Sequence, residues 1–356
     1  MDLVFKKGSL ERAIEAIVGA GGSEPREARM VAENLVMANL SGHDSHGIGM
    51  MPRYVEALQE GGLVVNRKPQ TKLDAGALLV LDGGMGYGQT IGYEATRLAI
   101  ARAKRHGSAI VALGNSHHLG RIGHWAEMAV AEGLISIHLV NVQSFARVAP
   151  FGGADRRFGT NPVCIGIPLP GEPPFLLDMA TSAVAQGKLR VARNKGVKIP
   201  SGWLIDDNGN PTDDPRWGVI QPFGAMLTFG EHKGYGLAVA CELLGGALTG
   251  GGVTDYENKT QRRVLNGMLS ILIDPQRLGT MEAFARDTRS FLKWLRESRP
   301  APGRDRVRIA GEPEREYRAK REREGIPVDQ ETWNEIRAAA VKLSVAPERI
   351  DALARG

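Results

Sequence analysis

The stretch ALLVLDGGMGYGQT, residues 77–90, reads as a strand over Ala77–Leu81, a glycine-rich turn, and the approach to a helix running from about Thr90 to His106. Strand, glycine turn and helix are what a dinucleotide-binding βα unit needs. The spacing is wrong for one. Gly83, Gly84, Gly86 and Gly88 never give G-x-G-x-x-G, and no lysine follows as it would in a phosphate loop. An ordinary Rossmann domain is therefore disfavoured, and any nucleotide would have to bind on a different scaffold.

Upstream the period is helical. Ser9 is positioned to cap a helix whose apolar face is Leu10, Ala13, Ile14, Ile17 and Val18. Ser23, with Pro25 in the first turn, opens a second helix with Met30, Val31, Leu35 and Ala38 on one face. A third follows over about Met51–Gln59. Downstream, strands are expected at Ser108–Leu113, Leu134–Val140, Val163–Pro168, Phe175–Leu177 and Leu269–Ile273, with a helix at Arg121–Glu132. Asp206 to Gly209 reads as a hairpin turn, and Gly234–Leu248 as a buried helix of small residues. Pro300 to Gly303 end a helix carrying Phe291, Trp294 and Leu295, and a charged helical tail follows. The fold class is α+β (mixed α/β). Residues 1–69 form a helical part packing with a tail over 300–356, and residues 70–299 form a sheet domain.

The 356 residues are 42% hydrophobic and 24% charged, which is globular and not disordered composition. The opening MDLVFKKGSLERAIEAI has no apolar run of signal-peptide type, and no stretch is apolar for long enough to cross a membrane. Two cysteines, Cys164 and Cys241, give no disulfide framework. A cytoplasmic enzyme is expected. The net charge of +5 is not gathered into a stripe, because acids interleave the arginines in PEREYRAKRERE, so no nucleic-acid or membrane partner is expected.

Seven of the eight histidines lie in the first 138 residues, and four of them fall in two polar turns, His43 with His46 and His117 with His118. Histidine trades protons near neutral pH, which suits a general acid or base, and Ser45 is placed to orient His46 or bond a reacting oxygen. His43, Asp44 and His46, completed by His118, also read as a zinc or iron site. H-D-S-H is not the H-E-x-x-H helix pattern, however, and no metal is expected. The turn DRRFGTNP (155–162), with Thr160, offers backbone N–H groups to an anion or simply turns into the next strand. Asp178 ends an apolar strand, where a carboxylate orients a histidine, binds a ribose, or caps a helix starting near Ser182. His232 and Lys233 precede a small-residue helix, as phosphate contacts or as a solvated loop.

GHDSHGIGMMPRYVEAL, NSHHLGRIGHWAEMA, FGGADRRFGTNP, LLDMATSAVAQGK, LTFGEHKGYGLA and the tail REREGIPVDQETWNEI together resemble the malate/L-lactate dehydrogenase family, nearly end to end. The resemblance implies a homodimer that binds NAD or NADP on a largely antiparallel, non-Rossmann sheet. It implies hydride transfer at C2 of a small 2-oxo or 2-hydroxy acid. His46 matches a cofactor-contacting histidine that is the proton donor in an imine-reducing branch, with Ser45 and Asp178 as its relay partners. His118 matches the proton acceptor of a ureidoglycolate-oxidising branch. Cofactor contacts are implied at Gly120, Arg121, Ile122, Leu176, Leu177, Asp178, Met179, Ala180, His232, Gly311, Glu312, Pro313 and Glu314. Several relatives carry an arginine four residues after His46. Here that position is Met50, so the substrate carboxylate falls to Arg53, Arg121 or Arg147, with Thr160 also a candidate contact, and a larger or more hydrophobic 2-oxo acid, such as an aryl pyruvate, is expected. Cyclic-imine reduction, and ureidoglycolate, sulfolactate or malate oxidation, are the alternatives within the family. A histidine-based metal hydrolase or lyase, and a non-catalytic nucleotide-binding protein, are the alternatives outside it.

Overall fold

The computed structural model describes residues 3–254 and 263–356. It opens with β1 (Leu3–Phe5), α1 (Lys7–Ala20) and α2 (Pro25–Leu40). Two 3₁₀ turns, Asp44–His46 and Ile48–Met50, lead into α3 (Met51–Gln59). Neither expected serine cap is the cap. Lys6 holds that position in α1, and Ser9 is buried inside the first turn, its hydroxyl accepting from Arg12. Glu24 holds it in α2, ahead of Pro25, where a missing N–H is harmless; Ser23 sits one residue earlier and donates to Glu27 at 2.8 Å. The apolar faces read from sequence are buried all the same: Leu10, Ile14 and Ile17 of α1, and Val31, Leu35 and Ala38 of α2.

The sheet region runs β2 (Gln70–Ala75), β3 (Leu78–Asp82), α4 (Gly88–His106), β4 (Ser108–His117), α5 (Gly123–Ala131), β5 (Ile135–Gln143), β6 (Val163–Ile167) and β7 (Phe175–Met179). Then come α6 (Gln186–Asn194), β8 (Leu204–Ile205), β9 (Pro211–Thr212), β10 (Ala225–Met226), α7 (His232–Cys241) with a π-helical continuation, and β11 (Leu265–Ile273). The chain ends in α8 (Met281–Arg296), α9 (Glu312–Glu324), β12 (Ile326–Val328), α10 (Gln330–Lys342) and α11 (Pro347–Arg355).

Seven strands form one sheet in the order β2-β3-β4-β11-β5-β6-β7. Among the described residues of this sheet only β3 and β4 pair parallel, joined by α4; its other neighbours pair antiparallel. The sheet is thus mixed and largely antiparallel. Its core, Leu79, Leu81, Val111, Leu113, Val140 and Met268, packs against Ile91, Ala95 and Ala99 of α4 and Trp125 of α5. A separate core joins α1, α2 and α3 to Trp333, Ile336, Ala340 and Ile350 near the C-terminus, with β1 paired to β12 at its edge. A third cluster, around Val148, Phe158, Leu189, Leu204 and Met226, belongs to a three-stranded sheet β10-β8-β9 that the sequence did not suggest beyond the Asp206–Gly209 hairpin turn.

The glycine-rich run is filled by the protein's own backbone. A Cβ on Gly88 would lie 2.1 Å from the His118 carbonyl oxygen and 2.6 Å from that of His117. The glycine lets the start of α4 press against the end of β4 and so sets where the paired histidines sit. Gly88→Ala should therefore lower stability by about 1–3 kcal/mol or more, read as a drop in thermal midpoint, and should cost activity in the fraction that still folds.

Candidate active site

The turn between α2 and α3 has little regular structure of its own and is held by side chains. Asn39 at the end of α2 does two jobs. Its Oδ1 accepts the Ile48 N–H at 2.8 Å, and its Nδ2 donates to Asp44 Oδ1 at 2.7 Å. Asp44 also receives Arg321 of α9 through both oxygens, at 2.7 and 3.0 Å. A Cβ on Gly47 would lie 2.0 Å from Asn39 Oδ1, so only glycine lets the turn close on that amide. His43 turns away to Glu314, 3.2 Å from its Nε2. His43, Asp44 and His46 thus face three different partners, and no group of three potential metal-ligating side chains occurs among the described residues.

What the clamp presents is Ser45 and His46. Ser45 Oγ lies 3.0 Å from His46 Nδ1, and α6 packs over the serine. The His46 ring stacks beside His118, centroids 5.8 Å apart and planes within 14°. His118 follows β4, where the next backbone N–H, of Leu119, is fixed by Asn266 Oδ1 at 2.8 Å. His118 Nδ1 lies 2.7 Å from the Tyr54 hydroxyl, and Gln89 Nε2 donates to that hydroxyl at 2.9 Å. Tyr54 has one proton, and with Gln89 donating to its oxygen that proton is available to His118 Nδ1. Nε2 of His118 is left as the nitrogen free to meet a substrate. The sequence reading missed Tyr54 and Gln89, since a tyrosine inside an amphipathic helix looks like core.

Burial keeps this site's histidines neutral. It pushes His46 down to about 4, against a smaller opposing pull from Asp178, and with lesser downward pushes from His43 and Arg121. It pushes His118 well below its usual value, aided by His46, His117 and Arg53. Burial holds the Tyr54 phenol well above its usual range, while the Gln89 bond works the other way.

Beside His46 lies the edge of the large sheet. The Leu176 N–H points off β7 to the Ala310 carbonyl at 3.1 Å, so alternation puts Asp178 and Ala180 on the same outer edge. The Asp178 carboxylate accepts the Gly123 N–H at 2.8 Å, satisfying the start of α5, a helix earlier in the chain than the one near Ser182 that the sequence suggested. It acts on His46 through charge and not through a hydrogen bond. Arg121 is buried and donates to Glu127 at 2.5 Å, with Asp178 3.9 Å away, and Glu127 also meets Arg318. Arg121 Nε and Nη1, and Glu314 Oε2, are buried without a hydrogen-bond partner among the described residues. Gly120 to Ile122, the β7 edge and the first turn of α9 are therefore neighbours around unsatisfied polar atoms, and a ribose or amide-bearing group fits such an edge. His232 stands at the start of α7, exposed, with its ring 5.8 Å from Phe151; the preceding loop bonds back through Phe229 N–H to Thr181. The Thr160 carbonyl accepts from both the N–H and the hydroxyl of Thr181.

On the His118 side the charge is positive. Arg53 of α3 acts on His117, His118 and Arg147, and Arg156 acts on Arg147. None of these three guanidinium groups makes an ion pair or hydrogen bond among the described residues. Burial and mutual repulsion bring Arg147 down to about 10. Arg156 lies over the Phe223 ring at 4.8 Å, and Trp217 and Gln186 line the same small hollow. Arg156, in the DRRFGTNP turn, was not singled out from the sequence. The other basic stretch behaves differently: Arg306, Arg308, Arg318 and Arg321 all face carboxylates.

Proton-trading imidazoles between an open strand edge and a patch of unpaired cations suit redox chemistry on a small anion, and the chain's relatives are oxidoreductases. The chain belongs to the malate/L-lactate dehydrogenase family, whose profile matches residues 5–337. It is 46% identical over 350 residues to hydroxycarboxylate dehydrogenase B of Escherichia coli, covering 98% of this chain and 96% of that one. It superposes on a solved E. coli structure described as a malate/lactate dehydrogenase with TM-score 0.94 at 45% identity, covering 99% and 98% of the two chains. It also superposes on delta1-piperideine-2-carboxylate reductase of Pseudomonas syringae with TM-score 0.81 at 30% identity, covering 95% and 99%. The protein is an oxidoreductase that interconverts 2-hydroxy and 2-oxo acids with a nicotinamide cofactor.

Burial also depresses His117 to about 3 and His124 and His138 to about 4. Each of these folded pKa values, like those of His46 and His118, lies below the unfolded value of 6.5. The unfolded chain then binds more protons below pH 6.5. Stability is fully present above that pH and falls as pH drops toward 4. Urea midpoints measured across that window should decline steeply, and His138→Gln should flatten the slope.

Proposed function

We propose that the chain reduces a 2-oxo acid at C2 and runs the reverse oxidation, with His118 exchanging the proton and NAD or NADP as cofactor. The observation that supports this most directly is the Gln89–Tyr54–His118 chain, which ends on a free Nε2 beside the unpaired arginines. Gly120, Arg121, Ile122, Leu176 to Ala180, His232 and Gly311 to Glu314 would hold the cofactor; the strand edge and the unpaired Glu314 and Arg121 atoms support that placement. When bound, the nicotinamide supplies or accepts the hydride. Arg53 and Arg147 bind the substrate carboxylate, with Arg156 and Thr160 beside them, while Arg121 stays with Glu127. His46, oriented by Ser45 and influenced by Asp178, lines the cofactor side and keeps water from it.

Met50, which is packed against the helical core, leaves an apolar position where relatives carry an arginine, and Trp217 and Phe223 flank Arg156. Both features favour an aryl or other large side chain on the 2-oxo acid. A second reading, cyclic-imine reduction with His46 as proton donor, is supported by the Ser45–His46 contact and the imine-reducing structural neighbour. On the family reading the enzyme is a cytoplasmic homodimer. Two buried free thiols suit a reducing compartment, and the exposed Phe291 and Trp294 of α8 are surface a second copy would cover. Residues 70–299 then carry the cofactor sheet, and residues 1–69 with 300–356 form the helical unit against it.

The test is nicotinamide oxidation, with NADH and with NADPH, against a panel of 2-oxo acids and cyclic imines. His118→Gln should lower kcat by roughly 10²–10⁴-fold. Arg147→Ala should raise KM by about 10–100-fold with a smaller effect on kcat. Phenylpyruvate should exceed pyruvate in kcat/KM; equal values would remove the aryl preference. A His118→Gln enzyme at full rate, with His46→Gln inactive, would transfer the proton role to His46.

A further inference from the structure

Tyr54 and His118 can share a proton in two ways. Either Tyr54 donates to Nδ1 and the histidine carries its own proton on Nε2, or Nδ1–H donates to Tyr54 and Nε2 is bare. The two states present opposite groups to a substrate oxygen. Among the described residues nothing else fixes the choice, since the His118 side chain hydrogen-bonds to Tyr54 alone. The choice is made one residue further back. Gln89, 2% exposed in the first turn of α4, donates Nε2–H to the Tyr54 oxygen.

We infer that Gln89 is a positioning residue that sets the tautomer of His118 through Tyr54, holding the proton on Nε2 and thereby arming the enzyme for reduction. The inference rests on the reading of His118 as the proton-exchanging group. The amide's orientation has a physical basis. Gln89 Oε1 is buried without a partner. Turning the amide over would leave its NH₂ group in that unpartnered place, and an orphaned buried N–H is rarer and less tolerable than an underused carbonyl. Burial keeps the phenol protonated and the imidazole neutral, so the pair holds one mobile proton on the tyrosine and one on the histidine.

The proton balance follows. During reduction the Nε2–H bond breaks as the substrate oxygen takes that proton. The Tyr54 O–H bond breaks as Nδ1 takes its proton, so the imidazole stays neutral. The negative charge arrives on the Tyr54 oxygen, where the Gln89 N–H meets it, and solvent later returns a proton. A donor to that oxygen favours this direction; an acceptor in its place would oppose it.

The test is ¹⁵N NMR of histidine-labelled enzyme, with the His118 signals assigned by their loss in His118→Gln. Gln89 borders a cavity of about 470 Å³ lined also by Asn34, Tyr93 and His124, which leaves room for altered side chains. The wild type should show His118 protonated on Nε2. Gln89→Glu, at about pH 10, above the range of roughly 8–9 that a buried carboxyl can reach, should convert it to the Nδ1–H form, because the carboxylate accepts the Tyr54 O–H hydrogen bond and leaves the phenol oxygen to accept from Nδ1–H. Gln89→Met should lower kcat for reduction roughly tenfold with KM within about twofold. A merely structural role would alter thermal midpoint or KM without moving the tautomer. A wild-type enzyme in the Nδ1–H form, or a Glu variant that keeps the wild-type tautomer, would overturn the inference. If the tautomers behave as expected while His118→Gln stays active, the proton assignment fails and the control by Gln89 stands.

Discussion

The pairing of Asp44 with Arg321 is the constraint on which the site depends. The turn that carries Ser45 and His46 consists of two 3₁₀ segments, which make too few internal hydrogen bonds to hold one conformation. Arg321 lies 277 residues away in sequence, on α9, and reaches Asp44 and the Asn39 carbonyl together. Asn39 then ties Asp44 and Ile48 to the last turn of α2. The same helix sends Arg318 to Ser41 and Glu127, and Glu314 to His43. One charged helix, which in isolation looks like a solvated surface, thus fixes the turn, steadies the partner of Arg121 and begins beside the β7 edge. A half-buried bidentate pair is worth more as geometry than as energy. Here it makes the position of His46 a consequence of the tertiary fold and not of local sequence.

That dependence explains what could be read from the sequence. The bounds of α3 follow from its own pattern, because Pro52 and an amphipathic face are local signals. The four clustered histidines stand out by composition. By contrast, β4 continues through Gly114, Asn115 and Ser116 to His117, residues that read as a turn. β11 holds the end of this stretch, Leu265 opposite His117 and Asn266 opposite Ser116, while Gly114 and Asn115 bulge out of that pairing between Asn266 and Met268, Asn115 at positive φ and Gly114 paired instead with Asp82 of β3. Asp178 was readable as a strand-end acid, but the helix it serves precedes it in the chain. β1 and β12 are too short to show a period, and they exist only because the two ends of the chain share a core.

The glycine run over 83–88 shows the same limit from the other side. Composition there suggests a phosphate cradle, and spacing argues against one. Packing supplies the reason: where a nucleotide loop would leave space, Gly88 is occupied by the carbonyls of His117 and His118. The close approach that a Rossmann turn offers to a ligand is used here to bring α4, and with it Gln89, against the strand end that precedes His118.

The two halves of the site also differ in how burial is balanced. On the His46 side, Asp178, Glu127 and Glu314 surround Arg121, so the buried cation has counter-charges, and burial keeps the imidazole neutral against the pull of Asp178. On the His118 side, Arg53, Arg147 and Arg156 make no ion pair among the described residues, with Glu56 acting on Arg53 only at a distance, and burial followed by mutual repulsion lowers Arg147. Partly buried cations without partners are destabilising in the free protein. An entering carboxylate relieves that repulsion, so on the proposed reading the substrate is bound where the protein has left charge unsatisfied. The same positive field works with burial to keep His118 neutral, so the imidazole passes a proton on without first becoming a cation, and the bound anion sits where that field is strongest.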